Sequence, residues 1–459
     1  MSSFETYIRD LRDIHATGSA VKETSYYGAL EALINDLGNV LKPKVRCVMQ
    51  LKNQGAGMPD GGLFTARQFQ RRSGDTPTDP QNPERGVIEV KGTGDDAWVI
   101  ADTKQVSKYW DKYRQVLVTN YRDFVLIGQD ANGQPAKLET YRLADSERDF
   151  WQKAQTPREF AQEHEEQFTE YLKRVMLQQA VITSPQDLAW FLASYAKDAK
   201  ARIEKTDLPN LAQVREALEE ALGVGFEGAK GDRFFKSTLI QTLFYGIFSA
   251  WVLWHRQNGQ GRFSWREAVW YMHVPMIQAL FSKVATPMNL GRLDLVEVLD
   301  WAGDALNRVD RESFFSKFDE GQAVQYFYEP FLQAFDPQLR KELGVWYTPP
   351  EIVEYMVARV DTVLREELDI ADGLADPNVY ILDPCCGTGA YLVEVLRKID
   401  ETLKANGADA LGGSDLKKAA MERVFGFEIL TAPFVVAHLQ LGLLLQNLGV
   451  PLVDDQERV

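Results

Sequence analysis

Apolar and polar positions in the first third of the chain follow two different periods. Apolar residues three and four positions apart predict amphipathic helices in ETSYYGALEALINDLGNVL and DTKQVSKYWDKY. Short apolar or alternating runs predict strands in VRCVMQL, GGLFTA, GVIEVKG, QVLVTN, DFVLIG and LETYRL. The polar, proline-rich RRSGDTPTDPQNPERG between two of these strands is expected to be a surface loop. Residues 1–150 are therefore predicted to form a mixed α/β domain.

Strand patterns disappear over residues 151–335, where helical spacing continues through LAQVREALEEALG and SWREAVWYMHVPMIQALFSKV. One apolar run, Thr238–Trp254, is shorter than a usual membrane span and contains Gln241. We expect it to be a buried core helix, and a membrane helix is the alternative. The region is predicted to be an all-helical coupler domain.

Residues 336–459 follow the order helix, strand, glycine-rich turn, helix, strand, helix. VYIL is a buried strand pattern, AYLVEVLRKIDETL a helix, and VFGFEIL the second strand. This order is that of one half of a doubly wound nucleotide-binding fold. The whole chain is thus predicted to be an α/β multi-domain protein.

Charge and cysteine content change this picture little. A net charge of −15 argues against a protein that coats nucleic acid indiscriminately, yet it does not exclude a DNA enzyme with a local basic surface. Cys47, Cys385 and Cys386 form neither a disulfide framework nor a zinc-site spacing, so a cytoplasmic location is expected. No membrane partner is expected.

Oppositely charged residues end the strand GVIEVKG. Side chains two apart on a strand share a face, so Glu89 and Lys91 point the same way. Asp60, in GAGMPDGG, opens a neighbouring strand. Two such carboxylates can hold Mg²⁺, which activates water and stabilises charge on a phosphodiester, while the lysine positions or deprotonates that water. We expect the three residues to converge, although a solvated strand face and an ordinary turn are the alternative.

Pro59, Asp60, Glu89 and Lys91 together resemble the signature of the PD-(D/E)xK nucleases. The resemblance implies a restriction-endonuclease-like α/β fold and a Mg²⁺-dependent DNA endonuclease. Asp60, Glu89 and Lys91 would be catalytic, and Asp60 and Glu89 would bind the metal.

Two helical features agree with this resemblance. Glu23 opens the helix before Asp60, where such nucleases often place a further acidic residue near the metal. The resemblance implies that Glu23 is a third metal ligand beside Asp60 and Glu89, and Glu31 is its rival. Gln105 and Tyr109 lie four apart on one helical face. They are similar to the Gln-x-x-x-Tyr element of the RecB-like branch, which implies that Gln105 is catalytic and faces the site.

The turn DPCCGTG joins the strand VYIL to the following helix. Gly387 and Gly389 permit a tight turn and a close approach of a ligand to the backbone. The turn is similar to motif I of the N6-adenine DNA methyltransferases, which implies an S-adenosylmethionine contact by Asp383, Pro384 and both glycines. An ordinary strand–helix turn is the alternative.

Two companions of this turn support the same resemblance. GVWYTPPEIVEYMV resembles the motif before the first strand, which implies that Tyr347, Thr348 and Pro349 line the cofactor pocket. Glu428, at the end of VFGFEIL, is placed to accept hydrogen bonds from both ribose hydroxyls. A surface carboxylate is the alternative for Glu428.

One element of the methyltransferase pattern is missing. The family binds its target base through an Asn/Asp-Pro-Pro-Tyr/Phe segment, and no such segment follows Glu428. We therefore expect a C-terminally truncated methyltransferase that does not methylate DNA as it stands and binds S-adenosylmethionine weakly.

The motifs at both ends resemble those of fused restriction–modification enzymes of Type IIG or IIL. The resemblance implies a phage-defence protein that acts on double-stranded DNA, with further subunits or the missing C-terminal part as partners. Two rivals stay open. One is a cofactor-sensing or partner-binding subunit with a decayed nuclease, and the other is a methyltransferase whose N-terminal domain only holds DNA.

Overall fold

The protein is a mixed α/β, mostly helical chain that divides into two compact units, Met1–Ala180 and Val181–Val459. The computed structural model describes residues 1–69, 81–130, 132–206, 208–222, 225–226, 228–258, 261–271, 281–282, 285–316, 327–337, 348–407, 410–429 and 431–452. Most of the proline-rich loop expected after the second strand lies outside the described residues. The predicted domain boundaries at residues 150 and 335 stay predictions.

The first unit is built on one six-stranded sheet in which the strands follow their order along the chain. The strands are β1 Val45–Met49, β2 Gly61–Thr65, β3 Val87–Val90, β4 Val116–Thr119, β5 Asp123–Gln129 and β6 Pro135–Arg142. β3 and β4 run parallel, and the other neighbours run antiparallel. Every strand predicted in this region is confirmed.

The helices of this unit begin mostly at good capping residues. They are α1 Ser3–Ala16, α2 Tyr27–Val40, α3 Ala66–Phe69, α4 Ala97–Ala101, α5 Lys104–Tyr113, α6 Glu147–Lys153 and α7 Pro157–Leu177. The hydroxyls of Ser2 and Thr103 cap α1 and α5, and a 3-10 turn, Thr24–Tyr26, leads into α2.

β3 is the buried centre of the sheet because it lies between β2 and β4 and is covered on both faces. On one face Val87 packs into a core with Val106 and Tyr109 of α5. On the other face Phe124 of β5 contacts Phe168 of α7, with ring centroids 4.7 Å apart. Strand alternation therefore directs Glu89, two residues after Val87, towards the α5 side.

The second unit opens with a helical region. Its helices are α8 Pro185–Lys205, α9 Leu208–Leu222, α10 Gly228–Asn258, α11 Pro287–Arg292, α12 Val296–Asn307, α13 Arg311–Phe315 and α14 Glu329–Phe335. A 3-10 segment, Trp265–Tyr271, precedes α11, and the rest of the helix predicted there lies largely outside the described residues.

α10 is the central helix of this region. Among the described residues, one stretch, Gly231–Gln257, is long and apolar enough to cross a membrane by length and composition, and its apolar window is wholly buried inside the protein. Side chains such as Phe244 and Trp251 have almost no exposed surface. The prediction of a buried core helix over Thr238–Trp254 is confirmed.

The second unit ends in an α/β region with the predicted order of elements and one additional helix. The elements are α15 Pro350–Glu366, β7 Ile381–Asp383, α16 Ala390–Ala405, α17 Ala410–Glu422, β8 Val424–Gly426 and α18 Thr431–Asn447. β7 and β8 run parallel, with Ile381 opposite Val424.

One expectation for this region is wrong. The apolar pattern of VYIL predicts a buried strand, yet Tyr380 is 71% exposed and Leu382 56% exposed. The core of the region, with Leu392 and Leu396 of α16, covers the opposite face of the two strands. Within the described residues, the face that carries Tyr380 and Leu382 is therefore open.

A buried ion pair between Arg174 of α7 and Glu139 of β6 offers a test of this fold. The guanidinium Nε donates to Glu139 Oε2 at 2.9 Å, and both side chains are almost fully buried. We expect Arg174→Met to destabilise the first unit by about 3–5 kcal/mol, because the buried carboxylate loses its compensating charge. Hydrogen exchange of the β3 amides measures this loss.

Lys153→Met is the matched control, since Lys153 pairs with Asp149 at 3.6 Å on the surface. It should cost less than about 1 kcal/mol. Equal effects of the two substitutions would show that the buried pair does not hold α7 to the sheet.

Candidate active sites

Strand pairing brings Asp60 opposite Glu89. Gly61 pairs with Ile88 in the antiparallel β2–β3 ladder, so the residue before Gly61 faces the residue after Ile88. Asp60 Oδ2 accepts a hydrogen bond from the Val90 backbone N–H at 2.8 Å. The two acids thus begin and end neighbouring strands at one edge of the fold, as the sequence predicts for them.

Lys91 joins two acids in this cluster. Its Nζ donates to Glu89 Oε1 at 2.8 Å and to Glu23 Oε1 at 3.2 Å. Glu31 takes a different place, since its Oε1 accepts from the Met49 backbone N–H at 3.4 Å. Glu23, rather than its rival, therefore lies with Glu89 and Lys91. We call Glu23, Asp60, Glu89 and Lys91 the acid–lysine cluster.

Burial sets the electrostatics of this cluster. Glu89 is 2% exposed, and this desolvation raises the pKa of its carboxyl from 4.5 to about 7, against the opposing effect of Lys91. The charges of Asp60 and Glu23 raise it further. Burial lowers the pKa of Lys91, but its hydrogen bond to Glu89 and the charges of all three acids raise it more. Lys91 is therefore held as an ammonium at neutral pH.

Gln105 reaches the cluster through Tyr109. Its Nε2 donates to the Tyr109 hydroxyl at 2.9 Å. Burial raises the pKa of Tyr109, and the charges of Glu89 and Asp60 add to this effect, so the phenol lies near both carboxylates. Gly57, with φ of 115°, lets the loop before β2 come close to this phenol, because a Cβ there would lie 3.3 Å from the hydroxyl oxygen.

The acids of the cluster could supply a few ligands of a metal ion but not a complete coordination shell. Within the described residues, no three or more His, Cys, Asp and Glu side chains are grouped to hold a metal ion. Mg²⁺, however, is usually bound through one or two carboxylates and several waters. Glu89 Oε2 is buried and accepts no hydrogen bond, and it belongs to the residue opposite Asp60. Carboxylate oxygens of this kind are the ligands that such an ion takes.

A second candidate site surrounds the turn between β7 and α16. Gly387 and Gly389 have φ values of 56° and 86°, the left-handed region that favours glycine. A Cβ on Gly389 would lie 3.1 Å from the Ala437 Cβ, so α18 packs closely against this glycine. Asp383 Oδ1 accepts from the Cys385 backbone N–H at 3.1 Å, whereas Oδ2 is buried without a hydrogen-bond partner. Pro384 lies within this turn.

The charges of Asp383 and Glu428 both act on the thiol of Cys386. Burial raises the pKa of Cys386 to about 12, and the negative charges of Asp383 and Glu428 contribute in that order. The Cys386 backbone N–H donates to the carbonyl of Phe427, which ties the turn to the residue before Glu428. The segment that carries Glu428 therefore lies at the turn, and Cys386 stays a neutral thiol.

The segment before β7 is described only in part. Thr348 and Pro349 directly precede α15, and Pro349 caps that helix, whereas Tyr347 lies outside the described residues. Next to the turn is a cavity of about 230 Å³ with mostly apolar walls. Its lining includes Cys386, Phe425, Gly426, Phe434 and His438.

Two tyrosines of the first unit touch the acids and were not predicted. Tyr27 donates its hydroxyl to Asp60 Oδ1 at 2.6 Å, and Tyr121 donates its hydroxyl to the backbone carbonyl of Glu23. Tyr27 follows Glu23 by four positions and begins α2, directly after the 3-10 turn Thr24–Tyr26. Its nearness to Glu23 along the chain is the signal by which the sequence could have revealed Tyr27, whereas Tyr121 carries no such signal.

Residues 320–450 match the family described as N-6 DNA Methylase. The range contains the glycine-rich turn, Asp383 and Glu428, so the chain carries an N6 DNA methyltransferase domain in this region. The acid–lysine cluster lies outside the matched range. No match is found among curated proteins.

Several solved structures are similar to the chain at low identity. The DrdV–DNA complex is 19% identical with a TM-score of 0.41, covering 99% of this chain and 39% of that one. The ATP-dependent Type ISP restriction–modification enzyme LlaBIII bound to DNA is 18% identical with a TM-score of 0.39, covering 60% and 17%. The type IIG restriction endonuclease BpuSI is 13% identical with a TM-score of 0.23, covering 90% and 39%. The chain thus spans well under half the length of these proteins.

Because the pKa of Glu89 is raised, we expect the unfolding free energy in metal-free buffer to depend on pH. With a folded pKa of about 7 and an ordinary value of 4.5, the folded protein binds the proton more tightly than the unfolded chain. This contribution is complete below pH 4.5 and is lost as pH rises through about 7, a change of about 3 kcal/mol. Glu89→Gln cannot ionise, so its unfolding free energy should fall less over this range.

Urea denaturation of both proteins is carried out at a series of pH values, with hydrogen exchange of the β3 amides as the readout. It measures the difference between their unfolding free energies. Parallel pH profiles for Glu89→Gln and the unaltered protein would contradict the raised pKa.

Proposed function

We propose that the chain is part of a restriction–modification system, in which a metal-dependent DNA endonuclease over residues 1–150 is joined by a helical coupler over residues 151–335 to an adenine-N6 DNA methyltransferase domain. One observation carries this proposal. The acid–lysine cluster, with Lys91 Nζ at 2.8 Å from Glu89 and 3.2 Å from Glu23, occurs in a chain that also matches an N-6 DNA methylase family.

In the proposed nuclease, Asp60 and Glu89 would hold Mg²⁺. The ion would activate water and stabilise charge on the phosphodiester. Lys91 is protonated at neutral pH, since the surrounding acids raise its pKa, so it acts as a donor that orients the attacking water or the phosphate. Glu23 holds the ammonium in place. Gln105 supports the site through the Tyr109 hydroxyl.

In the proposed methyltransferase, the turn at Asp383, Pro384, Gly387 and Gly389 would hold the methionine part of S-adenosylmethionine. The buried, unpartnered Asp383 Oδ2 is free to accept a hydrogen bond from that ligand. Glu428 would accept hydrogen bonds from the ribose. When bound, the cofactor would supply the methyl group.

The proposed partner is double-stranded DNA, and the proposed role is phage defence in the cytoplasm. The two alternatives are a subunit with an inactive nuclease and a methyltransferase whose N-terminal domain only binds DNA.

We expect Mg²⁺-dependent cleavage of unmethylated phage or plasmid DNA, measured as conversion of supercoiled to nicked or linear plasmid. Lys91→Ala and Asp60→Ala should each lower the rate at least about 100-fold, because each removes a group that stabilises developing charge. Lys153→Ala, which removes an exposed lysine of α6, is the matched control and should cleave normally.

DNA binding by all variants, measured by fluorescence anisotropy, distinguishes the two alternatives. Normal DNA binding with no Mg²⁺-dependent cleavage in any variant would favour the domain that only binds DNA. Cleavage that survives both substitutions would remove the acid–lysine cluster from the mechanism.

For the methyltransferase, we expect Glu428→Ala to weaken S-adenosylmethionine binding about 10- to 100-fold, because a charged acceptor of hydrogen bonds is lost. Calorimetric titration of the unaltered protein and the variant measures the effect. Equal affinities of the two proteins would contradict the proposed pocket.

A further inference from the structure

The hydroxyl of the buried Tyr27 contacts Asp60, a proposed metal ligand. Tyr27 is the first residue of α2, is 7% exposed, and donates to Asp60 Oδ1 at 2.6 Å. A hydroxyl–carboxylate bond of this length is of the strong, charge-assisted kind. The bond therefore fixes the positions of both the Tyr27 hydroxyl and the Asp60 carboxylate.

Asp60 is fixed at both carboxylate oxygens. Tyr27 holds Oδ1, while the Val90 backbone N–H holds Oδ2 at 2.8 Å. Rotation of the carboxylate about its Cβ–Cγ bond would break both contacts. A carboxylate oxygen has two lone pairs, so one remains on each oxygen for a cation after these bonds are made. The orientation of the free lone pairs is thus set before any ion binds.

The local sequence explains how Tyr27 comes to lie there. The 3-10 turn Thr24–Tyr26 joins Glu23 to the start of α2, so the acid and the tyrosine enter the site from one short segment. Tyr121 anchors this segment through the Glu23 carbonyl, and Tyr7 donates to the Tyr121 carbonyl at 3.1 Å. Hydroxyl groups from the core therefore hold the segment against the cluster.

We propose that Tyr27 is a positioning residue of the metal site, whose hydroxyl orients the Asp60 carboxylate towards a divalent cation shared with Glu89. The inference rests on the proposed nuclease function. Partners of metal-binding carboxylates typically contribute 10- to about 100-fold to metal affinity. A tyrosine that only satisfies a buried carboxylate would contribute to folding and leave metal affinity unchanged.

The test is calorimetric titration of the purified protein with Mn²⁺ alone, in the absence of DNA. Asp60→Ala should abolish binding at this site. Tyr27→Phe, which removes only the hydroxyl, should weaken it about 10- to 100-fold. Tyr26→Phe is the matched control, because this adjacent buried tyrosine contacts His15 Nδ1 at 3.4 Å and none of the acids. Its Mn²⁺ affinity should equal that of the unaltered protein.

The two proposals fail in distinguishable ways. Loss of Mn²⁺ binding in Asp60→Ala, with equal affinities for Tyr27→Phe and Tyr26→Phe, overturns the role of Tyr27 and leaves the nuclease standing. Unchanged binding in Asp60→Ala overturns the metal site itself and both proposals with it.

A double-mutant cycle covers the case in which Tyr27→Phe lowers thermal stability more than Tyr26→Phe. Tyr27→Phe is then combined with Asp60→Asn, and Mn²⁺ affinity is measured for each single and double variant. A positioning role predicts that Tyr27→Phe has little further effect once Asp60 is altered. The same loss of affinity in both backgrounds overturns the proposal.

Discussion

A buried carboxyl group and an ammonium meet at the end of the central strand, and the acid–lysine cluster depends on that contact. Glu89 is buried between β2 and β4, where an isolated charge would be costly, and Lys91 lies at 2.8 Å from it. Because Lys91 is partly exposed, it retains more hydration than Glu89 while attracting three acids. The strand thus tolerates a polar end only because its neighbours supply the compensating groups, a cost that is typical of a functional site.

The candidate site in the methyltransferase domain depends on backbone conformation, whereas the candidate site in the first unit depends on charge. Its turn combines two glycines at positive φ with a carboxylate, Asp383, that has one oxygen committed to the backbone and one without a partner. Gly389 is favoured by its positive φ and lies in close contact with Ala437. Such a turn offers a ligand close backbone approach together with a hydrogen-bond acceptor. The chain therefore contains two sites whose chemistry is prepared by different physical means.

Most strands and turns near the two sites could be predicted from the sequence, because hydrophobic periodicity indicates local structure. Strand alternation gave the shared face of Glu89 and Lys91, and glycine spacing gave the turn after β7. The exposure of Tyr380 could not be predicted, since an apolar strand does not reveal which of its faces is covered. Tyr121 was missed for a related reason, as its contact with Glu23 joins residues 98 positions apart. Long-range hydrogen bonds leave no periodic trace.

The three cysteines differ in a way that bears on how the protein can be studied. Cys47 is buried and Cys386 is partly shielded, and in both cases burial raises the thiol pKa, whereas Cys385 is exposed. Thiolates, not thiols, react with alkylating reagents, so labelling should be directed to Cys385. A fluorophore or spin label attached there sits two residues from Asp383. The native sequence thus provides a single chemical handle from which occupancy of the glycine-rich turn can be read spectroscopically.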